Sequence, residues 1–453
     1  MRILKAALIC ALLGAVPVPA ADKPPRNVLL LTIDTLRADH MSLYGYAKDT
    51  TPRLAAFAAD ATTFRHAYSP SAWTRASFAA YFTGLSPTVS GCRDQDDVLD
   101  PDLPTLAELF RARGFATAGI YSNDNIGPAF GFGRGFDLYD HPPCNSGYPN
   151  DFQVTDAADV NARVLRWLRE ERPKKPWFLF VLYVDPHDPY RPHPEMGSHL
   201  PPRGEPIGSR KFLDRLDRAT DGRLDHFRDD IIGLYDGEIA YVDRYVGELL
   251  DALKSADLLD DTLVIVTADH GEELWDHEGF HGHGQHLYDG EVRVPLVVRW
   301  PGALPLGGTV DRPVGVGGLF GTLARAYGLA DPAALAPGFL RDDGRSIPLE
   351  LHPEGRTLRA LLEWPWKLIR EEEARGARGQ APPRFRLFDL AGDPGETLSL
   401  ADSQPDRVRA MSARLAAIAA ADSARHAAMA LEERAPQLSD REKRNLRALG
   451  YVH

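Results

Sequence analysis

The chain has 453 residues, a formal net charge of −12 and a hydrophobic fraction of 44%. This length accommodates one large domain and one small domain. The acidic balance argues against a general nucleic-acid-binding protein, but it leaves a phosphate or sulfate ester open as a substrate.

The first twenty residues have the pattern of a cleaved secretory signal. Two basic residues precede an apolar core at about Ala6–Val16, and Val18-Pro19-Ala20 offers small residues to a signal peptidase. The core is too short to anchor the chain in a bilayer, and no later apolar run reaches membrane length. We therefore predict a signal peptide at residues 1–20, a periplasmic or extracellular protein and no stable membrane anchor. Cys92 and Cys144 remain after cleavage, and an oxidising compartment would allow them to pair.

Apolar strands alternate with helix-like stretches between residues 22 and 341. The predicted strands are Asn27–Ile33, Ala116–Tyr121, Trp177–Val184, Leu263–Thr267 and Val294–Trp300. The predicted helices lie near Pro52–Ala61, Thr105–Arg113, Asp156–Glu171 and Asp230–Ser255. This alternation predicts an α/β sheet with helices on both faces. Pro194–Gly222 is polar and rich in proline, glycine and charge, which predicts a long surface loop.

A change of composition after about Asp342 indicates a small C-terminal subdomain, residues 342–453. Glu363–Asp402 suggests two or three antiparallel strands around a basic loop, and an alanine-rich helix follows at about Gln404–Arg434. Ser439-Asp440-Arg441-Glu442 has the capping-box pattern that begins a last, short helix.

Candidate metal ligands stand at the ends of two predicted strands. Asp34 ends the first strand, and Asp269 and His270 follow the strand that begins near Leu263. Ligands and catalytic groups gather at the carboxyl ends of strands in open α/β sheets. Carboxylates with an imidazole suit zinc or a similar divalent ion. The alternative is that each Asp only caps the next helix. A turn with four more histidines comes next: His277, His281, His283 and His286.

These segments resemble the sulfatase family, within the alkaline phosphatase superfamily. The resemblance rests on Asp269-His270-Gly271, the Gly/His-rich turn and the run LYDGEVRVPLVVRWPG, together with WKLI, LFDLAGDPGET and the terminal LRALGYV. It implies an alkaline phosphatase-like large sheet with helices on both faces and a small C-terminal α+β subdomain. It also implies an ester hydrolase acting on a small-molecule or a glycan- or lipid-linked substrate.

The nucleophile segment departs from that of formylglycine sulfatases. Those enzymes open a C/S-x-P-S-R run with Cys or Ser, and Thr-Gly closes the helix that follows. Counting back from Thr83-Gly84 places Thr74 at the formylglycine position, Ala76 at the Pro and Phe78 at the Arg. The resemblance therefore implies a threonine nucleophile, as in the superfamily's nucleotide phosphodiesterases and phosphoethanolamine transferases. The alternative is that Thr74 only caps its helix.

The resemblance also implies one divalent ion held by four residues: Asp34, Thr74, Asp269 and His270. Zinc is the first choice, with calcium and manganese as alternatives. Many sulfatases carry a second Asp where this chain has Thr35, so the site lacks an oxygen ligand that calcium would use.

Three further residues receive roles from the resemblance. His187 and His283 match a pair that lies outside the first metal's ligands, where they would bind a second metal ion or protonate the leaving group. His281 is the alternative to His283, because the turn can be aligned with the family in more than one register. Asn123 stands where sulfatases have a Gly-Lys pair, and we assign it to oxyanion binding.

We predict a secreted, metal-dependent hydrolase that cleaves phosphate, phosphonate or sulfate esters through a covalent intermediate on Thr74. A phosphorus ester is favoured. A formylglycine sulfatase expels sulfate by re-forming its aldehyde, and a sulfated threonine cannot do this because it has only one hydroxyl. The alternatives are a phospho-group transferase, for example of the phosphoethanolamine type, a true sulfuric ester hydrolase, and a non-catalytic binding protein on the same fold.

Overall fold

In a computed structural model of the chain, most of the polypeptide is organised around one mixed β-sheet. The structure describes residues 24–145, 154–196, 207–217, 225–277, 281–331, 338–340, 346–373, 382–432 and 434–451. The signal peptide predicted at residues 1–20 lies outside the described residues and stays a prediction.

The centre of the large sheet is parallel and completely buried. The strands of this part are β1 (Asn27–Ile33), β2 (Thr62–Tyr68), β3 (Ala116–Tyr121), β4 (Leu138–Asp140), β5 (Trp177–Tyr183), β6 (Thr262–Ala268), β7 (Glu273–Leu274), β8 (His281–Gly282), β9 (Arg293–Arg299), β10 (Thr309–Val310) and β11 (Val314–Gly315). Their order is β10-β2-β9-β6-β1-β5-β3-β4, with β11 also paired to β2, while β7 and β8 form a separate ribbon. Every residue of β1, β5 and β6 is buried, so both faces of the sheet must be covered.

The helices of this part pack in two groups. They are α1 (Pro52–Ala58), α2 (Thr74–Thr83), α3 (Pro87–Ser90), α4 (Leu106–Ala112), α5 (Ala157–Arg166, continued by a π-helical turn at Trp167–Glu171), α6 (Arg210–Asp217), α7 (Arg228–Ser255), α8 (Asp289–Val292) and α9 (Leu319–Ala326). Helices α1 and α5 pack on α7, whereas α4 and α9 pack on α2. The predicted α/β sheet with helices on both faces is confirmed.

The C-terminal part contains a second, antiparallel sheet. Its strands are β12 (Ile347–Leu351), β13 (Arg356–Glu363), β14 (Trp366–Glu373) and β15 (Arg384–Asp389), paired in that order. Helix α10 (Pro405–Met429) packs on β13 and β14. Helix α11 (Asp440–Ala448) begins with the predicted capping box and packs instead on the turn Asp124–Ile126 of the large part. The end of the chain therefore returns to the large sheet.

Two sequence-based interpretations are wrong. Pro194–Gly222 is not all loop, because α6 lies within it and buries Phe212, Leu213 and Leu216. Cys92 and Cys144 are not bonded to each other: Cys92 is buried in the core, whereas Cys144 is exposed and its thiol donates to the Val154 carbonyl oxygen. Strand β2 was not predicted, since its alternating pattern includes charged residues at partly exposed positions.

Among the described residues, every helix is either too short or too polar to span a bilayer.

Candidate active site

Three buried side chains converge at the carboxyl edge of the central strands. Asp34 follows β1, and Asp269 and His270 follow β6, the parallel neighbour of β1. All three residues are fully buried, and their potential ligand atoms lie within 4.8 Å of one another. The structure brings the three residues together as predicted, because adjacent parallel strands end at the same edge of the sheet.

The atoms of this cluster fit a divalent cation. Asp34 Oδ1 and Asp269 Oδ2 are buried and have no hydrogen-bond partner in the part of the chain that the structure describes. Burial, followed by the charge of Asp269, raises the pKa of Asp34 well above its usual value. His270 Nδ1 lies 2.8 Å from the Gly271 carbonyl oxygen and therefore carries the ring proton, which leaves the Nε2 lone pair for a ligand. Burial lowers the pKa of His270 to about 4, so the ring is neutral at pH 7.

Thr74 places a hydroxyl beside this cluster. It is the first residue of α2, and its Oγ1 lies 3.1 Å from His270 Nε2. The N-cap position belongs to Trp73, so the alternative that Thr74 only caps the helix is wrong. The next residue, Arg75, points away from the site and stacks 3.6 Å over the Phe130 ring. Thr74 is therefore the hydroxyl that α2 directs to the candidate metal ligands.

Asn123 orients one of the carboxylates. It follows β3, and its Nδ2 donates a hydrogen bond of 2.7 Å to Asp34 Oδ2. Its Oδ1 accepts from the Asn125 backbone N–H, which fixes which end of the amide faces Asp34. The second Nδ2 hydrogen remains for another acceptor.

His187 and His283 lie side by side but differ in charge. Their ring centroids are 4.9 Å apart, and that of His283 is 4.6 Å from His270. Burial lowers the pKa of His187, but the carboxylates of Asp188, Asp34 and Glu272 together outweigh it and raise that pKa to about 10. Burial and the charge of His187 lower the pKa of His283 to about 3. At neutral pH, the pair is thus one imidazolium beside one neutral imidazole.

Two other histidines of the predicted turn stack on aromatic rings. His281, the rival of His283, stacks on Trp275 with centroids 4.9 Å apart. His277 stacks on Tyr288 at 3.7 Å and contacts the Glu273 carboxylate. The structure brings His283, and not these two, next to His270.

The sequence analysis missed two residues of the site. Glu272 contacts His283, with 3.1 Å between Oε1 and Nδ1, and burial raises the pKa of Glu272 to about 7. Its position two residues after His270 could have marked Glu272 as a site residue. Tyr451 approaches from the end of the chain, and its hydroxyl lies 2.6 Å from His187 Nε2. The terminal LRALGYV was singled out by resemblance, but nothing in it marked the tyrosine as part of a site.

Comparison with known proteins places the chain in one family. The family profile described as Sulfatase matches residues 26–329. A choline-sulfatase from Rhizobium meliloti (strain 1021) is 26% identical over 441 residues, covering 83% of this chain and 82% of the relative. A sulfatase from Formosa agariphila is 24% identical over 438 residues, covering 84% of each chain.

A solved structure shares the fold across both parts of the chain. The phosphonate monoester hydrolase of Agrobacterium radiobacter superposes with a TM-score of 0.68 at 21% identity, covering 88% of this chain and 96% of that one. The predicted alkaline phosphatase-like fold is confirmed. From the family profile and the fold, the chain belongs to the sulfatase family, whose members hydrolyse sulfuric or phosphoric esters.

Proposed function

We propose that the chain is a secreted, metal-dependent hydrolase that uses Thr74 as its nucleophile and prefers phosphate or phosphonate esters. The observation that carries the proposal is the 3.1 Å contact between Thr74 Oγ1 and His270 Nε2, beside two buried carboxylates. A hydroxyl in that position lies next to the imidazole nitrogen that would bind the ion. Export rests on the signal pattern of residues 1–20.

The proposed metal ligands are the side chains Asp34, Asp269 and His270, with Thr74 at the remaining position. Three protein ligands and one reacting group form the open arrangement of a catalytic zinc site. Manganese suits the same donors less well, and calcium prefers six to eight oxygens. When bound, the ion lowers the pKa of a coordinated hydroxyl and neutralises charge on the reacting group.

The side chains divide the reaction between them. Thr74 Oγ1 loses its proton to solvent and forms a bond to phosphorus, while the bond from phosphorus to the leaving oxygen breaks. His187, held as an imidazolium by Asp188, gives its proton to the leaving oxygen. Water then attacks phosphorus and loses a proton to solvent, while the bond from phosphorus to Thr74 Oγ1 breaks and Thr74 Oγ1 regains a proton. Asn123 keeps Asp34 oriented through the hydrogen bond that its Nδ2 donates.

Phosphorus is favoured over sulfur by the nucleophile itself. Threonine has one hydroxyl, so a sulfated Thr74 cannot expel sulfate by collapsing to an aldehyde. A phosphorylated Thr74 can be released by attack of water at phosphorus. The second candidate, a sulfuric ester hydrolase, is favoured by the choline-sulfatase relative, which aligns with most of the chain. The substrate class is in either case a small-molecule or a glycan- or lipid-linked ester.

The test compares wild type, Thr74→Ala and Thr83→Ala on matched aryl esters: a sulfate, a phosphate monoester, a phosphate diester and a phosphonate. Thr83 is a matched control, because it is a buried threonine at the other end of α2 whose hydroxyl donates to the Ala79 carbonyl oxygen and accepts from the Leu85 backbone N–H. Thr74→Ala should fold and bind metal but lose at least about 10³-fold in kcat. Thr83→Ala should keep wild-type turnover.

Two results would contradict the proposal. Retention of more than about a tenth of wild-type turnover in Thr74→Ala, a barrier change of only about 1.4 kcal/mol, would remove Thr74 from the nucleophile role. A kcat/KM for the aryl sulfate above that for every phosphorus ester would make sulfate the preferred substrate.

A further inference from the structure

A buried arginine connects the helix that begins at Thr74 with the turn that follows Asn123. Arg75 is the second residue of α2 and is only 1% exposed. Its guanidinium holds Asn125 at two atoms: Nε donates to the Asn125 carbonyl oxygen at 3.1 Å, and Nη2 donates to Asn125 Oδ1 at 2.5 Å. Helix α2 also packs against the turn that contains Asn125. The helix and the turn are therefore joined by a planar fork of donors, which holds them more firmly than a single contact would.

The hydrogen bonds continue from Asn125 to a candidate metal ligand. The Asn125 backbone N–H donates to Asn123 Oδ1 at 2.9 Å, and Asn123 Nδ2 donates to Asp34 Oδ2 at 2.7 Å. A backbone N–H can only donate, so the first bond turns the amide nitrogen of Asn123 towards the carboxylate. Asp34 Oδ1 has no hydrogen-bond partner among the described residues, which leaves this oxygen for an ion. A continuous path of hydrogen bonds thus runs from the residue after Thr74 to Asp34.

The guanidinium is also held from its other side. Nη1 donates to the carbonyl oxygen of Asp94 at 3.0 Å and to that of Gln95. Cζ lies 3.6 Å from the centroid of the Phe130 ring, a distance at which a cation is attracted to the face of the ring. These contacts fix the guanidinium relative to α2, so the position of Asn125 follows from that of the helix.

The surroundings of Arg75 are costly for a residue that serves stability alone. Its four hydrogen-bond acceptors are backbone carbonyl and amide oxygens, which carry no charge to balance the buried guanidinium. Because Asn125 turns its Oδ1 towards Arg75, its Nδ2 is buried without a hydrogen-bond partner in the described part of the chain. Local mismatches of this kind are expected where a site needs a particular geometry.

We propose that Arg75 is a positioning residue that orients Asn123, and through it Asp34, relative to Thr74. This inference rests on the proposed function, because it concerns the same nucleophile and the same candidate ligand. Displacement of a reacting group by about 1 Å can lower the rate about 100-fold. Arg75 is covalently bonded to Thr74 and hydrogen-bonded to the turn after Asn123, so it resists such a displacement between the nucleophile and the carboxylate.

The experiment uses the full chain and measures the zinc dissociation constant by calorimetry and kcat at saturating zinc, on whichever aryl ester wild type hydrolyses fastest. Arg75→Lys keeps the positive charge, but an ammonium group lacks the planar fork that holds both oxygens of Asn125. Arg75→Lys should lower kcat about 10- to 100-fold and weaken zinc binding about 10-fold or more, the range for residues that orient metal ligands. Asn123→Ala should do the same. The double variant should be no worse than the more affected single variant, because both substitutions break one path.

Arg134→Lys is the matched control. Arg134 also donates to backbone carbonyl oxygens, among them those of Asp100 at 2.9 Å and Leu103 at 3.0 Å, but these acceptors lie outside the path to Asp34. This variant should lose stability without losing kcat or zinc affinity. A further variant, Asn125→Ala, removes the Oδ1 acceptor and leaves the guanidinium in place. It should lower kcat and show the same coupling to Asn123→Ala, and it replaces Arg75→Lys in the comparison if that variant does not fold.

Each other pattern overturns the proposal, and the patterns can be told apart. If Thr74→Ala is inactive but Arg75→Lys keeps wild-type kcat, the positioning role fails and the proposed function stands. Losses that multiply in the double variant would show that Arg75 acts independently of Asn123, and unchanged zinc binding in Arg75→Lys would show that the path does not reach Asp34. An equal loss of kcat in Arg134→Lys would reduce the effect to one of stability. If Thr74→Ala remains active, the proposed nucleophile fails and the role of Arg75 falls with it.

Discussion

Replacing Asp34 by Asn should change stability in opposite directions with and without a divalent metal ion. In chelated protein, Asp34 and Asp269 each keep a buried oxygen without a hydrogen-bond partner among the described residues. An asparagine at this position has the same shape, and its amide oxygen can still accept the 2.7 Å hydrogen bond from Asn123 Nδ2. The substitution therefore removes a repulsive charge from the chelated protein and a ligand from the metal-bound protein.

The geometry sets the size of both effects. Two unit charges at the 4.8 Å limit of the cluster repel by about 3.5 kcal/mol at an effective dielectric constant of about 20. The pKa of Asp34 is raised in the folded protein, so its cost to stability is present above the ordinary carboxyl pKa and fades as the pH falls. With metal at about 10⁴ times its dissociation constant, wild type should gain about 5.5 kcal/mol, which exceeds the repulsion, and the variant should gain far less.

The assay is denaturant unfolding at pH 7 of wild type and Asp34→Asn, each in chelator and in excess zinc. Asp60→Asn serves as the control, because Asp60 is an exposed carboxylate outside the cluster. In chelator, Asp34→Asn should have the larger free energy of unfolding, and in zinc the order should reverse. Equal stabilisation of both proteins by zinc would refute the assignment of Asp34 as a ligand. A chelated wild type more stable than the variant would refute the argument from charge repulsion.

Two further predictions concern buried ion pairs away from the metal ligands. Lys367 is fully buried, and its Nζ lies 2.8 Å from Asp289 and 2.9 Å from Glu396. Lys367→Met leaves both carboxylates without this partner and should lower the free energy of unfolding by about 3–5 kcal/mol. A loss below about 1 kcal/mol in urea unfolding would contradict this. Burial raises the pKa of Glu238, but His193 and Arg191 together outweigh it and lower that pKa to about 2. The stability that Glu238 contributes is present above about pH 4.5 and lost as the pH falls towards 2. The difference in unfolding free energy between wild type and Glu238→Gln should shrink over that window, and a constant difference would argue against the pair.

The candidate metal-ligand cluster was predictable because its residues follow strands that are easy to recognise. Asn27–Ile33 and Leu263–Thr267 are apolar runs of strand length, and such runs indicate strands buried on both faces. Parallel neighbours end at one edge of a sheet, so an Asp at one strand end and Asp-His at the other are expected to meet. This step needs only the type and direction of two elements.

The residues that were missed depend on contacts that local patterns do not encode. Tyr451 and His187 are separated by 264 positions, and no periodicity links the end of α11 to the loop after β5. Strand β2 was missed because it carries Arg65 and His66 at exposed and partly exposed positions, which lowers its resemblance to a buried strand. The histidine-rich turn misled in the other direction. His277 and His281 are metal-ligand residue types that serve here in ring stacking.

The site residues differ in how firmly the fold holds them, and this difference separates two parts of the proposed chemistry. Asp34 and Asp269 extend from strands buried along their whole length, and all ten residues of α2, which begins at Thr74, are buried. The proposed metal binding and nucleophilic attack would thus depend on rigid elements, which favours a fixed geometry. His187 instead follows β5 on a loop, and binding residues on loops vary more among related proteins than those on strands. Variation among relatives in leaving group and substrate is therefore expected to concentrate on the His187 side, while the residues at the strand ends keep the reaction type.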